Sequence, residues 1–121
     1  MTHTETPPLC YLRTQRRIWG LTQKELARFM GINSRTQLSR VENSKRAPTI
    51  RSALACQVLF GIPPAALFPH LFDTVEDRVI RDVYERHEAL SDTTSPKGLR
   101  KRELFALALA RATINGNAND T

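Results

Sequence analysis

The 121-residue sequence has little of what several classes of protein depend on. It contains two cysteines, Cys10 and Cys56, and this widely separated pair has neither metal-ligand spacing nor the density of a disulfide framework. We therefore expect both cysteines to be small buried hydrophobic residues. Five glycines and seven prolines are too few for a fibrous or low-complexity chain, so the composition predicts a folded globular protein.

Long apolar runs and catalytic motifs are also missing. No apolar stretch approaches the roughly 18 to 20 residues that span a bilayer, and residues 1–8 lack the basic and then apolar profile of a signal peptide. The three histidines are scattered, and the sequence has neither a glycine-rich phosphate loop nor a nucleophile motif. We therefore expect a cytoplasmic protein that contacts no membrane, is not an enzyme and holds no metal or other cofactor.

Positive charge is concentrated in the first part of the sequence. Eighteen lysines and arginines against twelve acidic residues give a net charge of +6. Residues 1–70 carry a net charge of +7, whereas residues 71–121 carry −1. A local excess of this size attracts polyanions, so nucleic acid is the first partner to test.

Helix start and stop signals divide the first part into five segments. Helices are predicted at residues 8–20, 23–30, 35–43, 50–60 and 65–68. Thr22 with Glu25 and Ser34 with Gln37 have the spacing of capping boxes, and glycines stand where three of these helices end. Apolar residues at helical spacing are predicted to face inward; they are Leu26, Ala27, Met30, Leu38 and Val41.

The second part of the chain predicts a helical hairpin at residues 70–113. Thr74 is expected to cap its first helix, and Ser95 with Pro96 to open its second. Apolar stripes on the two helices supply the candidates for a dimer interface, which are Val79, Ile80, Val83, Tyr84, Phe105 and Leu109. Residues 1–8 are predicted to be a flexible arm and residues 114–121 a disordered tail, which leaves 9–69 as the first domain.

Two short capped helices joined by a glycine-containing turn, inside a basic helical unit, are typical of a helix-turn-helix. The run LTQKELARFMGINSRTQLSRVENSKRAPT resembles the helix-turn-helix of the phage repressor and Cro family, also called the XRE family of bacterial regulators. The resemblance covers about residues 12–68. It implies a five-helix repressor-like domain and a function in transcription through binding of double-stranded DNA. With the hairpin that periodicity predicts after it, the expected fold is all-α.

The resemblance also implies which residues contact DNA. The base-reading set consists of Arg35, Thr36, Gln37 and Arg40 on the third helix. Arginine can bond to guanine through two hydrogen bonds, glutamine can pair with adenine, and the threonine methyl can contact thymine, so the chemistry fits this role. The phosphate-binding set consists of Gln23, Asn43, Lys45 and Arg46.

Three positions depart from the family pattern. Asn33 lengthens the turn, Gln15 replaces a buried leucine, and Ser44 replaces a common glycine. We expect Gln15 to lie at the surface or to be hydrogen-bonded.

Several other polar and aromatic residues have a structural interpretation. The resemblance implies an ion pair between Arg16 and Glu42. Tyr11 and Trp19 are interpreted as packing residues, because a protein that reads duplex DNA has no splayed bases to stack. Two sets of cations could serve either to keep the protein soluble or to bind phosphates, and the sequence does not decide between these roles. The first set is Arg13, Arg16, Arg17, Arg28 and Arg51, and the second is Lys97, Arg100, Lys101 and Arg102.

The sequence therefore predicts a regulator, with repression favoured, that reads the major groove with helix 35–43 as a homodimer on a palindromic operator. One recognition helix reads too few base pairs to select a genomic site, so a second copy about 34 Å away is needed. The expected setting is a bacterial or phage-encoded protein associated with the nucleoid. The alternative is an antitoxin or adaptor whose hairpin binds a protein partner while the first domain autoregulates its gene.

Overall fold

The chain is all-helical in the computed structural model, which describes residues 9–119 and the side chains of residues 9–114. Seven helices lie in this range: α1 (Leu12–Ile18), α2 (Gln23–Met30), α3 (Arg35–Glu42), α4 (Ile50–Phe60), α5 (Pro64–Leu67), α6 (Pro69–Ala89) and α7 (Pro96–Asn119). The all-α prediction is thus confirmed. The chain divides into two compact units, with the boundary between Asp73 and Thr74. The predicted arm at residues 1–8 and the last two residues of the predicted tail lie outside the described residues.

Each helix of the first unit contributes one completely buried apolar side chain to a common core. These side chains are Leu12, Leu26, Leu38, Cys56 and Leu67, from α1 to α5 in order. Full burial of such a side chain stabilises a fold by roughly 1.5 to 3 kcal/mol. The core therefore confirms the inward positions that apolar spacing predicted on α2 and α3.

Local capping explains why α2 and α3 begin and end where they do. The Thr22 hydroxyl accepts a hydrogen bond from the Glu25 amide at 3.0 Å, and the Glu25 carboxylate accepts one from the Thr22 amide at 2.9 Å, which completes the predicted capping box. The Ser34 hydroxyl accepts a hydrogen bond from the Gln37 amide at 3.3 Å. Gly31 ends α2 at φ 73°, a left-handed conformation that glycine adopts without steric cost.

Both cysteines are small buried residues, as the sequence predicts. The Cys10 thiol donates to the backbone carbonyls of Val41 and Glu42 at 3.7 and 3.5 Å, and burial raises its pKa. Burial also raises the pKa of the Cys56 thiol, to about 12. Both thiols are free, and burial keeps them in the unreactive protonated form.

Three helix ends differ from the sequence-based predictions by four residues or more. Helix α1 begins at Leu12, later than predicted, because the Tyr11 amide donates to the Leu67 carbonyl at 2.8 Å and holds residues 9–11 outside the helix. Helix α6 begins at Pro69, so Thr74 lies inside it and is not its cap; proline fits a first helical turn, where its missing amide hydrogen costs nothing. Helix α7 extends to Asn119 although composition predicted a tail after residue 113, since this stretch contains no proline to stop it.

Two aromatic residues are more exposed than their interpretation as packing residues predicts. Trp19 is 68% exposed at the end of α1, and Tyr11 is also exposed. The Trp19 indole donates to the Gln15 side-chain oxygen at 3.3 Å, so Gln15 is hydrogen-bonded as expected. The Trp19 ring lines a shallow apolar groove with Leu59 and Phe60 and does not enter the core, so its packing is confined to the surface.

The second unit is a hairpin without a buried apolar side chain of its own among residues 74–114. Its loop is closed by Arg102, whose guanidinium donates to the backbone carbonyls of Leu90 and Ser91 at 3.4 and 3.0 Å. The Ser95 hydroxyl caps α7 by accepting from the Gly98 amide at 3.0 Å, as predicted. Over the described residues, no helix is long and apolar enough to cross a membrane.

Candidate nucleic-acid interface

Helix α3 has one buried and one exposed side. Leu38, Val41 and Glu42 are buried, and this fixes the rotation of the helix on the first unit. The four residues predicted to read bases are all exposed; they are Arg35, Thr36, Gln37 and Arg40. The structure therefore places the predicted set together on the side of α3 that a ligand can reach, with donors and acceptors suited to base edges.

A basic groove lies beside this exposed side, where α1 and the N-terminus of α2 meet the first residue of α3. It has a volume of about 530 Å³. Its lining consists of Arg13, Arg16, Arg17, Thr22, Gln23, Lys24 and Arg35, with five cations and no acidic residue. The amides of the first turn of α2 add partial positive charge to these cations. A groove of this composition suits a phosphate group.

The buried carboxylate of Glu42 contacts several of the residues that line the groove. Its side chain has no exposed surface, and its Oε2 lies 2.6 Å from Nε of Arg16, so the implied ion pair is confirmed. Gln23 Nε2 donates to Glu42 Oε1 at 3.2 Å, and Nε of Arg13 lies 3.7 Å from the same oxygen. One buried acid on α3 thus joins α1 and α2 and contacts three residues of the groove wall, Arg13, Arg16 and Gln23.

The four predicted phosphate-binding residues fall into two pairs. The amide of Gln23 is already bound to Glu42, and Asn43 accepts from the Arg13 guanidinium and donates to the Ser39 hydroxyl. By contrast, Lys45 and Arg46 are exposed. Of this set, the two cations are the better suited to an external phosphate, because their side chains make no competing ion pair among the described residues.

The sequence left Arg13 and Arg17 open between solubility and phosphate binding, and it indicated no role for Lys24, the remaining cation of the groove. Arg13 and Arg17 lie four residues apart on α1, a spacing that puts both on one side of the helix. Lys24 lies in the first turn of α2, next to the capping residue. These positions were visible in the sequence, but their assembly into one groove depends on how α1 packs beside α2 and α3.

The candidates for a dimer interface lie on α6 and α7 and are partly exposed in the single chain. Val79 is 40% and Tyr84 57% exposed, while the other four, Ile80, Val83, Phe105 and Leu109, are half-buried. Leu104 and Leu107 are more than half exposed as well. The hairpin therefore presents apolar surface that a single copy of it does not cover.

The described part of the chain contains no group of three histidine, cysteine or acidic side chains arranged to hold a metal ion. The structure does contain a helix, α3, with one exposed polar side and one buried side, and a groove lined by cations lies next to it. This arrangement defines a DNA-binding domain of the helix-turn-helix class.

Comparison with known families agrees with this geometry. A family model described as helix-turn-helix matches residues 12–67, which comprise α1 to α5. Residues 12–67 thus form a helix-turn-helix domain of the XRE type, the type of domain that binds DNA in transcription regulators. The domain is regulatory and not catalytic. Searches of curated proteins and of solved structures found no match.

Proposed function

We propose that the protein is a transcriptional repressor that binds a palindromic operator as a homodimer, in the bacterial cytoplasm and in association with the nucleoid. The observation that carries the proposal is the exposed polar side of α3 above a buried side, with the basic groove next to it. Arg35 and Arg40 read guanine, Gln37 reads adenine and Thr36 contacts a thymine methyl. Lys45, Arg46 and the groove cations hold phosphates on both sides of the bases that are read.

Dimerisation through the hairpin follows from the lack of buried apolar side chains in residues 74–114. Two helices of this length whose apolar side chains are at most half-buried gain less from folding than a packed core does, and a second copy that covers their stripes increases the gain. A symmetric pair also presents two recognition helices to two half-sites, which selects a palindrome. Repression needs only occupancy of such a site, so the DNA-binding and dimerising surfaces are sufficient for it.

The test begins with selection of bound sites from random duplex DNA, followed by fluorescence anisotropy on the selected operator. Arg35→Ala and Arg40→Ala are each expected to weaken operator binding by about 1 to 3 kcal/mol and to relax preference at one base position. Lys45→Ala is expected to weaken binding to all DNA sequences alike. It should also lower the salt slope, the slope of log affinity against log salt concentration, by about one in magnitude. Arg81→Ala, in the second unit, is the control.

Equal affinity of the wild type for operator and random duplex at moderate salt would overturn the proposal. A reporter gene with the operator inside its promoter tests the direction of regulation, and expression should fall when the wild-type protein is present. The second candidate function, an adaptor or antitoxin, is favoured by the same exposed residues of α6 and α7 if they stay exposed in the dimer. A hydrophobic dye that binds the free dimer would reveal that state.

A further inference from the structure

We propose that one side of α7 is a second phosphate-binding surface, which contacts duplex DNA flanking the operator. The surface is a cationic stripe formed by Lys97, Arg100, Lys101 and Arg111, all of which are exposed. This inference rests on the proposed function, because it assumes that the protein already occupies a site on DNA. It adds a contact region outside the helix-turn-helix domain.

The helical period places the four cations on one side of α7. At 3.6 residues per turn they fall within a sector of about 100°. Glu103 is the only acidic residue between positions 96 and 114, and it lies about 60° outside this sector. The stripe runs for about 21 Å from its first to its last cation, at 1.5 Å per residue. Lys97, Arg100 and Lys101 form a cluster within about 6 Å along the helix, and Arg111 lies about 15 Å beyond it, with Leu104 and Ala108 between them on the same side. The cluster and the single cation are therefore spaced to contact different phosphates of one DNA strand.

Within residues 9–114, whose side chains the structure describes, none of these cations is in an ion pair. The ion pairs of the described residues involve Arg13, Arg16 and Arg78, and no cation of α7 lies within 4.0 Å of a carboxylate. The neighbouring Arg102 differs, because its guanidinium is used to close the hairpin loop. The charges of the stripe are thus available to an external anion.

The position of the stripe costs stability in the free protein. Three of the four cations lie in the first two turns of α7, and the first turn contains no acidic residue. The N-terminal end of a helix already carries partial positive charge, so cations there are repelled, whereas acids would be stabilised. A bound anion such as a DNA phosphate would neutralise these cations and remove the repulsion at the start of α7.

Duplex DNA fits the stripe better than α6 of a second copy. The acids of α6 are interleaved with Arg78, Arg81 and Arg86, so that helix offers no surface of one sign. Arg78 and Asp82 on α6 already face each other at 3.9 Å. A DNA strand, by contrast, presents negative charge at regular intervals on either side of any operator.

The experiment compares two triple variants with the same change in net charge. K97Q/R100Q/K101Q removes three of the four cations of the stripe, and R78Q/R81Q/R86Q removes three arginines from α6 as the control. Binding is measured by fluorescence anisotropy, over a range of salt concentrations, on the operator with long flanks and on a duplex trimmed to the operator. Circular dichroism and light scattering check folding and oligomeric state.

On the flanked duplex, the stripe variant should bind at least tenfold more weakly at low salt. Its salt slope should fall by about one for each cation that holds a phosphate. On the trimmed duplex it should match the wild type, and its Tm should be equal or higher because repulsion at the start of α7 is relieved. Adding Arg111→Gln should deepen the loss on the flanked duplex only.

Two results would overturn the inference. If the stripe variant binds the flanked duplex as the control does, the cations are only a solvated surface. If the stripe variant loses the dimer, the cations hold a second copy or another acidic protein surface instead of DNA. A wild-type protein that does not distinguish operator from random duplex would instead refute the proposed function, so the two failures are separable.

Discussion

Removal of the buried carboxylate of Glu42 is the sharpest test of how the recognition helix is seated. The side chain is fully buried, and its closest partner, Arg16, has a side chain only 12% exposed. Glu42→Ala leaves this arginine without its counter-charge, and a guanidinium cannot escape the penalty by losing its proton. The same change frees Gln23 from the acceptor that holds it at 3.2 Å.

The expected loss is large compared with the stability of a small domain. Removing one partner of a buried ion pair costs about 3 to 5 kcal/mol, against a total of about 5 to 15 kcal/mol for a typical protein. Urea unfolding followed by circular dichroism measures the loss. In a thermal scan, each kcal/mol should lower the Tm by about 4 to 8 °C.

An exposed pair in the same chain supplies the control. Arg78 and Asp82 lie 3.9 Å apart with side chains 70% and 60% exposed, so Asp82→Ala should cost less than about 1 kcal/mol. A second variant, Arg16→Met with Glu42→Leu, removes both charges and should recover most of the lost stability. The reasoning fails if Glu42→Ala is no more destabilising than Asp82→Ala, or if the double variant is worse than the single one.

Three further predictions concern the core, a strained turn and a buried thiol. Leu38→Ala should lower the free energy of unfolding by roughly 2 to 5 kcal/mol in urea titration, because it opens a cavity in the core; a variant that keeps its Tm but loses DNA binding would contradict this. Ser44 has φ 59°, so Ser44→Gly should raise the Tm, with a gain of up to about 1 kcal/mol; a lower Tm would show that the serine hydroxyl matters more. The pKa of Cys56 rises from 9.0 to about 12, so the native state holds its proton more tightly than the unfolded state does. The stability gained from this proton is complete below pH 9 and is lost as the pH rises toward 12. Cys56→Ala should therefore reduce the loss of stability at alkaline pH, and an unchanged profile of stability against pH would refute this prediction.

Local chemistry is the part of the fold that the sequence predicted well. The capping residues of α2 and α3, the left-handed glycine at 31 and the inward-facing leucines are all decided within a few residues of the chain. The same holds for the exposed side of α3, because burial of Leu38 and Val41 leaves only one side for the polar residues. Periodicity and capping therefore suffice to place the candidate recognition surface.

Features that depend on distant contacts were not predictable in this way. The start of α1 is decided by a hydrogen bond between Tyr11 and Leu67, which are far apart in sequence. The exposure of Trp19 depends on whether neighbouring helices leave room for the ring in the core. Likewise, Arg13, Arg17 and Lys24 form a groove only after α1 has packed beside α2. Each outcome follows from tertiary packing, which single-chain periodicity does not encode.

The buried apolar core lies in the first unit and not in the hairpin, so removal of the hairpin tests whether the hairpin forms the dimer interface. All the buried apolar residues of the described chain lie between positions 10 and 68. The first unit, which ends at Asp73, therefore contains the packing that it needs to fold without residues 74–121. Truncation after Asp73 should give a folded protein with a cooperative unfolding transition, measurable by circular dichroism.

The truncated protein should also be a monomer, because the proposed interface on α6 and α7 is gone. Its affinity for the palindrome should fall by orders of magnitude, since one copy no longer places a second recognition helix about 34 Å away. Its preference for a half-site over random duplex should survive, because α3 and its seat are intact. Light scattering on both proteins and anisotropy on full and half operators measure these outcomes. A truncated protein that remains dimeric would move the interface to the first unit. A full-length protein that is monomeric at micromolar concentration, yet binds the palindrome tightly as a single copy, would refute dimeric recognition altogether.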